Sequence, residues 1–563
     1  MLSIACSDSD STQSDSEQTG GTTAEDRQVR ENSTLVSVLK SASYSPQEFV
    51  DNIGPPSYYN LMNNLSPHFS EGIKAFDRIK LQTHLPQLDR DFAAEVGTEP
   101  DGSRRWKIET YSFTYRSHTV AGEECVMSGR VTFPNNTVDG TSHQVKTLSL
   151  CSRQALSGND WAASESMFRM PIRALWNSAV IEPDFQNYGV NFAQVPEGAA
   201  SPKVLARQLA DCLLAALELM RQHGVSLAPD GYTTNWASSQ SCAVPLMFAK
   251  YYETEAPDWF RNAVKLHSTF TGEGPLYLPD AFLYLFKHME MANDFYTYPC
   301  SYISAFTPEQ LGGYTFHEFV APWFTNTYVK VDEKEYTVAD ATSKMILPWD
   351  FLPPSDFTRL DQILSPDMVT ADGNIDMESE KTKAVFGILE EHGDMSGWTP
   401  QHPIYIAHSE EDALFPYELA YEHYLRLSNQ GQNPLVHFVT VPPIESIVSP
   451  LINTIGVSYS YSYIHTLVSF IMQFYMSDVF IRKEHLIILS RYTSTSMPLY
   501  SAPSYSRSVD YHVPNAHGYI YNVLDCSDGW LKVSFIDGSN NRIEGWMPPE
   551  YQCSNVYTAC MGM

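Results

Sequence analysis

The chain lacks any run of the ~18 to 20 consecutive apolar residues that a bilayer-crossing helix requires, which excludes an integral membrane protein of that kind. Positive charge is scarce: 36 Lys and Arg stand against 66 Asp and Glu, a net charge of −30. Such a surface repels phosphate backbones and anionic membranes, so nucleic acid is excluded as a partner. Cysteine is sparse, nine in 563 residues, and the spacing shows no dense disulfide framework. There is no glycine-rich phosphate loop, and scattered histidines such as His402, His408 and His423 have no close set of fellow ligands. Neither a metal nor any other cofactor is expected. Charged residues make up only 18% of the chain against 43% hydrophobic and 13% aromatic, so it buries a substantial core, and its polarity comes from Ser, Thr, Asn, Gln and 33 Tyr. At roughly 150 residues per domain, the length allows two to four domains.

The chain divides by pattern. Residues 1–33 join a very short apolar piece ending at Cys6 to a Ser/Asp/Thr/Glu tract that cannot collapse, a disordered tail or a tether. The start resembles the end of a bacterial lipoprotein signal, with SIAC (Ser3 to Cys6) as its processing box. That resemblance implies a start codon upstream, a lipid on Cys6 anchoring the chain to a membrane, and a place in the bacterial cell envelope or outside the cell. Residues 34–105 mix short apolar runs with Pro/Gly/Asp clusters and are expected to be an irregular extension with short helices.

From 106 to 490 strands alternate with helices. Lys107 to Pro134 holds two β-rich segments around Ala121-Gly122; VKTLSLC (Val145 to Cys151) and the segment Ala174 to Gly189 add strands. Ser201 to Gly224 is a long amphipathic helix with Ser201 as cap, Pro202 at its first position and Gly224 as stop. His402 to Gly431 supplies a strand, an acidic turn and a helix, and Pro434 to Pro443 a further strand. This repetition predicts an α/β layered fold on a mostly parallel sheet. An aromatic-rich, largely helical insertion at about 262–395 is expected to cap the carboxyl edge of that sheet, and its rings at 266–345 are placed to line an apolar acyl pocket.

Residues 508–563 show short β runs between Asp-Gly and Gly-Ser turns and no helical period, which predicts a small all-β barrel. Gly518 to Phe535 followed by EGWMPPEY (Glu544 to Tyr551) resembles the bacterial SH3-like module of envelope enzymes. That likeness implies attachment to peptidoglycan or another envelope polymer. Cys553 and Cys560 are close enough in sequence for a small disulfide loop, with Cys526 as a competing partner.

Chemistry concentrates where GYTTNWASS (Gly231 to Ser239) runs into QSCAVPLMFAKYYE without a loop. A serine on so sharp a strand-to-helix turn exposes its hydroxyl, and the next residue offers a backbone N–H to a developing oxyanion. Ser239 is the candidate nucleophile and the Gln240 N–H the first donor, with small Ala237 and Ser241 two places to either side. Asp412, at a strand end before Phe415-Pro416, is the candidate acid that orients a base. His465, at the front of an apolar helix in SYSYIHTLVSFIMQFY, is that base.

The order Ser, Asp, His, with the segments Phe113 to Pro134, Ser178 to Gly189 and Gly397 to Tyr424, resembles the α/β-hydrolase superfamily in its secreted lipase and esterase branches. The resemblance implies an α/β-hydrolase sheet with a helical cap and a serine esterase acting on a small ester or lipid through an acyl-enzyme. In that family the region after an early strand supplies a second oxyanion donor, and the backbone N–H of Ser152 is the candidate here. Cys151-Ser152-Arg153, Ala237 and Ser241 depart from the family pattern of glycines and a His-Gly turn. A serine peptidase, or a binding protein with impaired catalysis, therefore remain as alternatives.

Overall fold

The computed structural model of the chain describes residues 24–44, 48–49, 107–135, 142–152, 173–174, 177–289, 297–348, 351–353, 357–410, 412, 415–441, 487–490, 496–514, 521–527, 530–537, 539 and 541–553. Cys6, His465, Cys560 and most of 34–105 lie outside the described residues, as does the Cys553 side chain. Among the described residues no helix is long and apolar enough to cross a membrane.

Strand–helix alternation produces the layered α/β architecture expected of it. The first strands are β1 (Leu35–Tyr44), β2 (Lys107–His118), β3 (Glu124–Asn135), β4 (His143–Cys151), β5 (Ser178–Pro183), β6 (Val225–Trp236) and β7 (Leu266–Gly272). A separate hairpin, β8 (Tyr328–Val331) with β9 (Lys334–Thr337), interrupts the chain before β10 (Ile404–Ser409) and β11 (Val436–Val441). The main sheet has nine strands in the order β1-β2-β3-β5-β4-β6-β7-β10-β11. β1, β2, β3 and β5 pair antiparallel; every pair from β5 to β11 is parallel. The β2–β3 hairpin turns where Gly122 takes φ +82°, a left-handed conformation that costs glycine little.

The parallel register has one consequence for function: the carboxyl ends of β4, β6, β7 and β10 fall on the same edge. Strands buried on both faces carry apolar residues such as Val145, Leu148, Leu150, Ile404 and Ile406, all fully buried, and the inner strands also bury Thr147, Ser149, Thr233 and Thr269. Helix α1 (Pro202–Gln222) packs against this sheet through Leu205, Leu209, Leu213, Ala216 and Met220, in one core with Phe113, Val131 and Ile181. Each such leucine contributes about 1.5–3 kcal/mol relative to exposure. Its ends are built as the sequence implies: the Ser201 hydroxyl accepts the Val204 N–H, Pro202 sits in the first turn, and Gly224 follows the end at φ +71°.

The expected bounds of the insertion differ from the structure. β7 falls inside 262–395 yet pairs with both β6 and β10 in the main sheet. Lys265, left-handed at φ 53°, ends the preceding helix, and Leu-His-Ser-Thr-Phe-Thr starts a strand at once. The insertion proper follows it, and its helices include Leu278–Lys287 and the longer Glu380–Gly393. Its aromatic rings pack on one another: Phe282, Phe286, Phe316, Phe319, Phe324 and Phe357 form a second buried core. Aromatic density there builds a self-sufficient hydrophobic centre.

The carboxyl-terminal strands are β12 (Ile487–Ser490), β13 (Met497–Tyr500), β14 (Val509–Val513), β15 (Tyr521–Ser527), β16 (Trp530–Ile536), β17 (Arg542–Met547) and β18 (Gln552–Cys553). They form a second, antiparallel sheet ordered β14-β13-β17-β16-β15-β12-β18. β12 and β13 lie upstream of residue 508, so this sheet takes in more chain than its turn chemistry announces.

Two buried histidines give the fold a pH dependence. His392, at the end of the Glu380–Gly393 helix, has its Nδ1 2.5 Å from the Ser201 hydroxyl that caps α1; burial pushes it down from 6.5 to about 4. His423, stacked 6.3 Å from Tyr277, is likewise held at about 4 by burial and then by the Arg426 charge. Both folded values lie below the unfolded one, so the unfolded chain binds more protons as the solution is acidified. Their contribution is complete above pH 6.5 and is lost as the pH falls from there toward about 4. Denaturant midpoints measured across that window should fall, and the His392→Gln, His423→Phe double variant should show a flatter decline; equal slopes would remove these histidines as the cause.

Candidate active site

β6 ends at Trp236, a fully buried ring with the Arg173 guanidinium 5.3 Å over it. Ala237 continues the strand direction, donating its N–H to the Phe270 carbonyl of β7 at 3.2 Å. The chain then reverses within one residue. Ser238 is extended at φ −144°, Ser239 is left-handed at φ 56°, and a single 3₁₀ turn over Ser239–Ser241 leads into helix α2 (Ala243–Thr254). A non-glycine residue in that conformation is strained, and strain of this kind is held only where surrounding structure imposes it.

That surrounding structure is Gly274. A Cβ on Gly274 would stand 2.1 Å from the Ser239 carbonyl oxygen and 2.6 Å from its carbon, so glycine alone permits the approach. Of the three neighbouring hydroxyl residues, Ser238 and Ser241 are 2% and 1% exposed, while Ser239 is half-buried. Ser239 is therefore the serine presented to solvent. The turn's own hydrogen bonds come from Ser241 N–H to the Ser238 carbonyl and Cys242 N–H to that of Ser239. Gln240, in the first turn, has no helical partner for its N–H. Its Nε2 is also buried without a hydrogen-bond partner among the described residues.

Ser152, the candidate second oxyanion donor, sits at the end of β4 with its N–H committed: it donates to the Trp236 carbonyl at 2.9 Å, and its hydroxyl donates to Asn235 Oδ1 at 2.6 Å. These bonds join β4 to β6 under the turn, so Ser152 braces the strand that carries Ser239.

Asp412 follows β10 on the same sheet edge and is buried. Its Oδ1 accepts the Phe415 N–H at 3.1 Å, and its own N–H donates to the Ser409 carbonyl at 3.3 Å. The helix it precedes, Tyr417–Leu427, is capped by Pro416, so Asp412 shapes the loop and is not that helix's N-cap. The charge on Asp412 reaches back to the turn at Ser239. With burial as the larger cause, it holds the Cys242 thiol, three residues beyond the candidate nucleophile, well above its ordinary pKa.

One buried group escaped the reading of the sequence. Glu273, directly after β7, is fully buried and left-handed at φ 48°, and it shares a cluster with His408 and Asp412 in which ligand atoms lie within 4.8 Å of one another. Burial first, then the charge and hydrogen bond of Asp412, push the Glu273 carboxyl well above the usual range. The trio is gathered tightly enough to raise the question of a metal. However, His408 Nε2, the nitrogen 3.5 Å from Asp412 Oδ2, donates its proton to the Phe415 carbonyl at 2.6 Å. A protonated Nε2 is no ligand, and Glu273 and Asp412 stand beside it as a buried pair of carboxyls. The signal in the sequence was Gly-Glu-Gly immediately after a strand.

If the close approach at Gly274 sets the turn, Gly274→Ala must displace Ser239. A shift of even 1 Å at a reacting group lowers rate about 10²-fold. Reaction of Ser239 with a fluorophosphonate should slow by that order in folded Gly274→Ala protein; an unchanged rate would show that the turn does not depend on the contact.

No protein-family model matches the chain, and no curated protein matches it. Among solved structures, the chain is similar to a rice cell wall degrading esterase, LipA, from Xanthomonas oryzae, at 14% identity and a TM-score of 0.47, over 79% of this chain and 98% of that one. It is also similar to lipase A of Candida antarctica in its closed state, at 11% identity and a TM-score of 0.41, over 62% of this chain and 76% of that one.

Proposed function

We propose that the chain is a serine hydrolase on an α/β-hydrolase scaffold that cleaves carboxylic esters through Ser239, His465 and Asp412. The observation that carries this reading is the strained, half-exposed Ser239 at the end of a central parallel strand, braced by Gly274, with Asp412 buried on the same edge. His465 accepts the Ser239 proton as the hydroxyl oxygen attacks the ester carbonyl. The Gln240 N–H stabilises the tetrahedral oxyanion, and Asp412 orients the imidazolium. His465 then protonates the departing alcohol, and water repeats the cycle on the acyl-enzyme.

In this reading Cys6 is the lipid anchor and the carboxyl-terminal sheet is an attachment module for an envelope polymer. Its Tyr505, 60% exposed and packed edge-on to Trp530 at 4.7 Å, gives that module an aromatic surface.

The test is turnover of a p-nitrophenyl ester series by purified variants. Ser239→Ala should lower kcat by about 10⁴-fold or more, while Ser238→Ala and Ser241→Ala remain active. Wild-type turnover by Ser239→Ala would overturn the assignment. Inactivity of the wild type toward every ester and aminoacyl amide would favour a binding protein on the same scaffold.

A further inference from the structure

We propose that Glu273 is a positioning residue for the catalytic acid: it retains its proton and donates it to Asp412, so that the buried pair carries a single negative charge, seated on Asp412. The proposal rests on the reading of Ser239 and Asp412 given above and adds to it a residue, a protonation state and a role.

Geometry comes first. Glu273 has no route to solvent. Its N–H donates to the Ala407 carbonyl of β10 at 3.1 Å, fixing it to the neighbouring strand. Gly272, at φ 145°, precedes it, and Gly274, pressed on the Ser239 carbonyl, follows. The backbone is thus pinned on both sides, and the side chain is fully buried within 4.8 Å of Asp412 and His408. Two carboxylates so placed in a dry site cannot both be ionised.

The hydrogen bonds decide which one keeps the proton. Asp412 Oδ1 accepts the Phe415 N–H, and Oδ2 lies 3.5 Å from His408 Nε2, whose proton goes to the Phe415 carbonyl. Neither Glu273 oxygen has a donor at normal hydrogen-bond geometry among the described residues. The bond open to it is the one to Asp412, which exists only with a proton between the two carboxyls. Negative charge settles where the backbone donor lies, on Asp412, and the proton stays on Glu273. The groups facing Glu273 agree: Asp412 and His408 from β10 and its loop, the Cys242 thiol from the start of α2, and the Ser409 backbone, which alone favours ionisation and is the weakest influence. No Lys or Arg among these offsets a charge on Glu273.

The consequence is an acid of fixed direction. A neutral donor beside Asp412 holds its carboxylate in one rotamer and leaves one charge to pair with one imidazolium. Without the donor, Asp412 is a buried carboxylate with less support and ionises less readily.

The experiment joins a spectroscopic and a kinetic readout. Infrared difference spectra of the full chain at neutral pH should contain the carbonyl stretch of a protonated carboxylic acid, shifted in D₂O and missing from Glu273→Gln. In pH profiles of kcat/KM, Glu273→Leu should move the acid limb upward by about one pH unit and lower kcat about tenfold with KM nearly constant, the size expected for loss of one charge-assisted hydrogen bond. Glu273→Gln, which keeps an N–H donor, should recover most of that loss. An infrared band that persists in Glu273→Gln would overturn the assignment. So would a Glu273→Gln variant as impaired as Glu273→Leu, because the ionised carboxylate would then be the working form. Should Glu273→Leu fail to fold, the spectra and the Gln profile still decide. A band lost in Glu273→Gln together with no ester turnover by the wild type would uphold the proton assignment and reject the hydrolase reading.

Discussion

The contact between Gly274 and the Ser239 carbonyl is the constraint on which the rest of the site depends. It ties the end of β7 to the turn after β6 at a separation that no Cβ could occupy. The left-handed Ser239 is held in place by that contact on one side and, on the other, by the hydrogen bond from Ala237 to Phe270 and the Ser152 bonds to β6. Parallel pairing from β4 to β11 brings these strand ends to one edge in the first place. Tertiary packing therefore stabilises a conformation that serine would not adopt in a peptide, and the strained turn presents one hydroxyl while burying its two neighbours.

The same edge is unusual in its electrostatics. Glu273, His408, Asp412 and Cys242 are buried together beneath the turn of a chain whose net charge is −30. Low dielectric strengthens every interaction among them and penalises any excess charge. A cluster of this composition is stable when protons, not counterions, balance it. The His408 proton is committed to the Phe415 carbonyl and that of Glu273 is available to Asp412, which leaves one negative charge on the pair.

Much of this was legible from residues alone. An abrupt change from period two to helical period at Trp236 to Gln240, with small residues on both sides, marks a strand–turn–helix because no loop chemistry intervenes. Ser201, Pro202 and Gly224 bound α1 by local rules, and the structure keeps all three roles. What stayed hidden depends on long-range contact. Glu273 in Thr-Gly-Glu-Gly has the composition of a solvated turn; its burial comes from β10 and Asp412, more than 130 positions later in the chain. β7 is short, and the aromatic-rich stretch after it drew the boundary of the insertion too early. The insertion's rings had the character of a ligand pocket, yet a segment of this length outside the sheet needs its own core, and Phe282, Phe319 and Phe324 supply it. Ser152 was placed by its position after β4, but its N–H belongs to the strand pairing.

The measurement that bears most directly on the central claim is a crystal structure of the chain after reaction with a fluorophosphonate. The account predicts phosphorus bonded to Ser239 Oγ, a phosphoryl oxygen within about 3 Å of the Gln240 N–H, and the His465 ring between the adduct and Asp412. Phosphorus on any other residue, or a modified Ser239 with no imidazole bridging it to Asp412, would contradict the account.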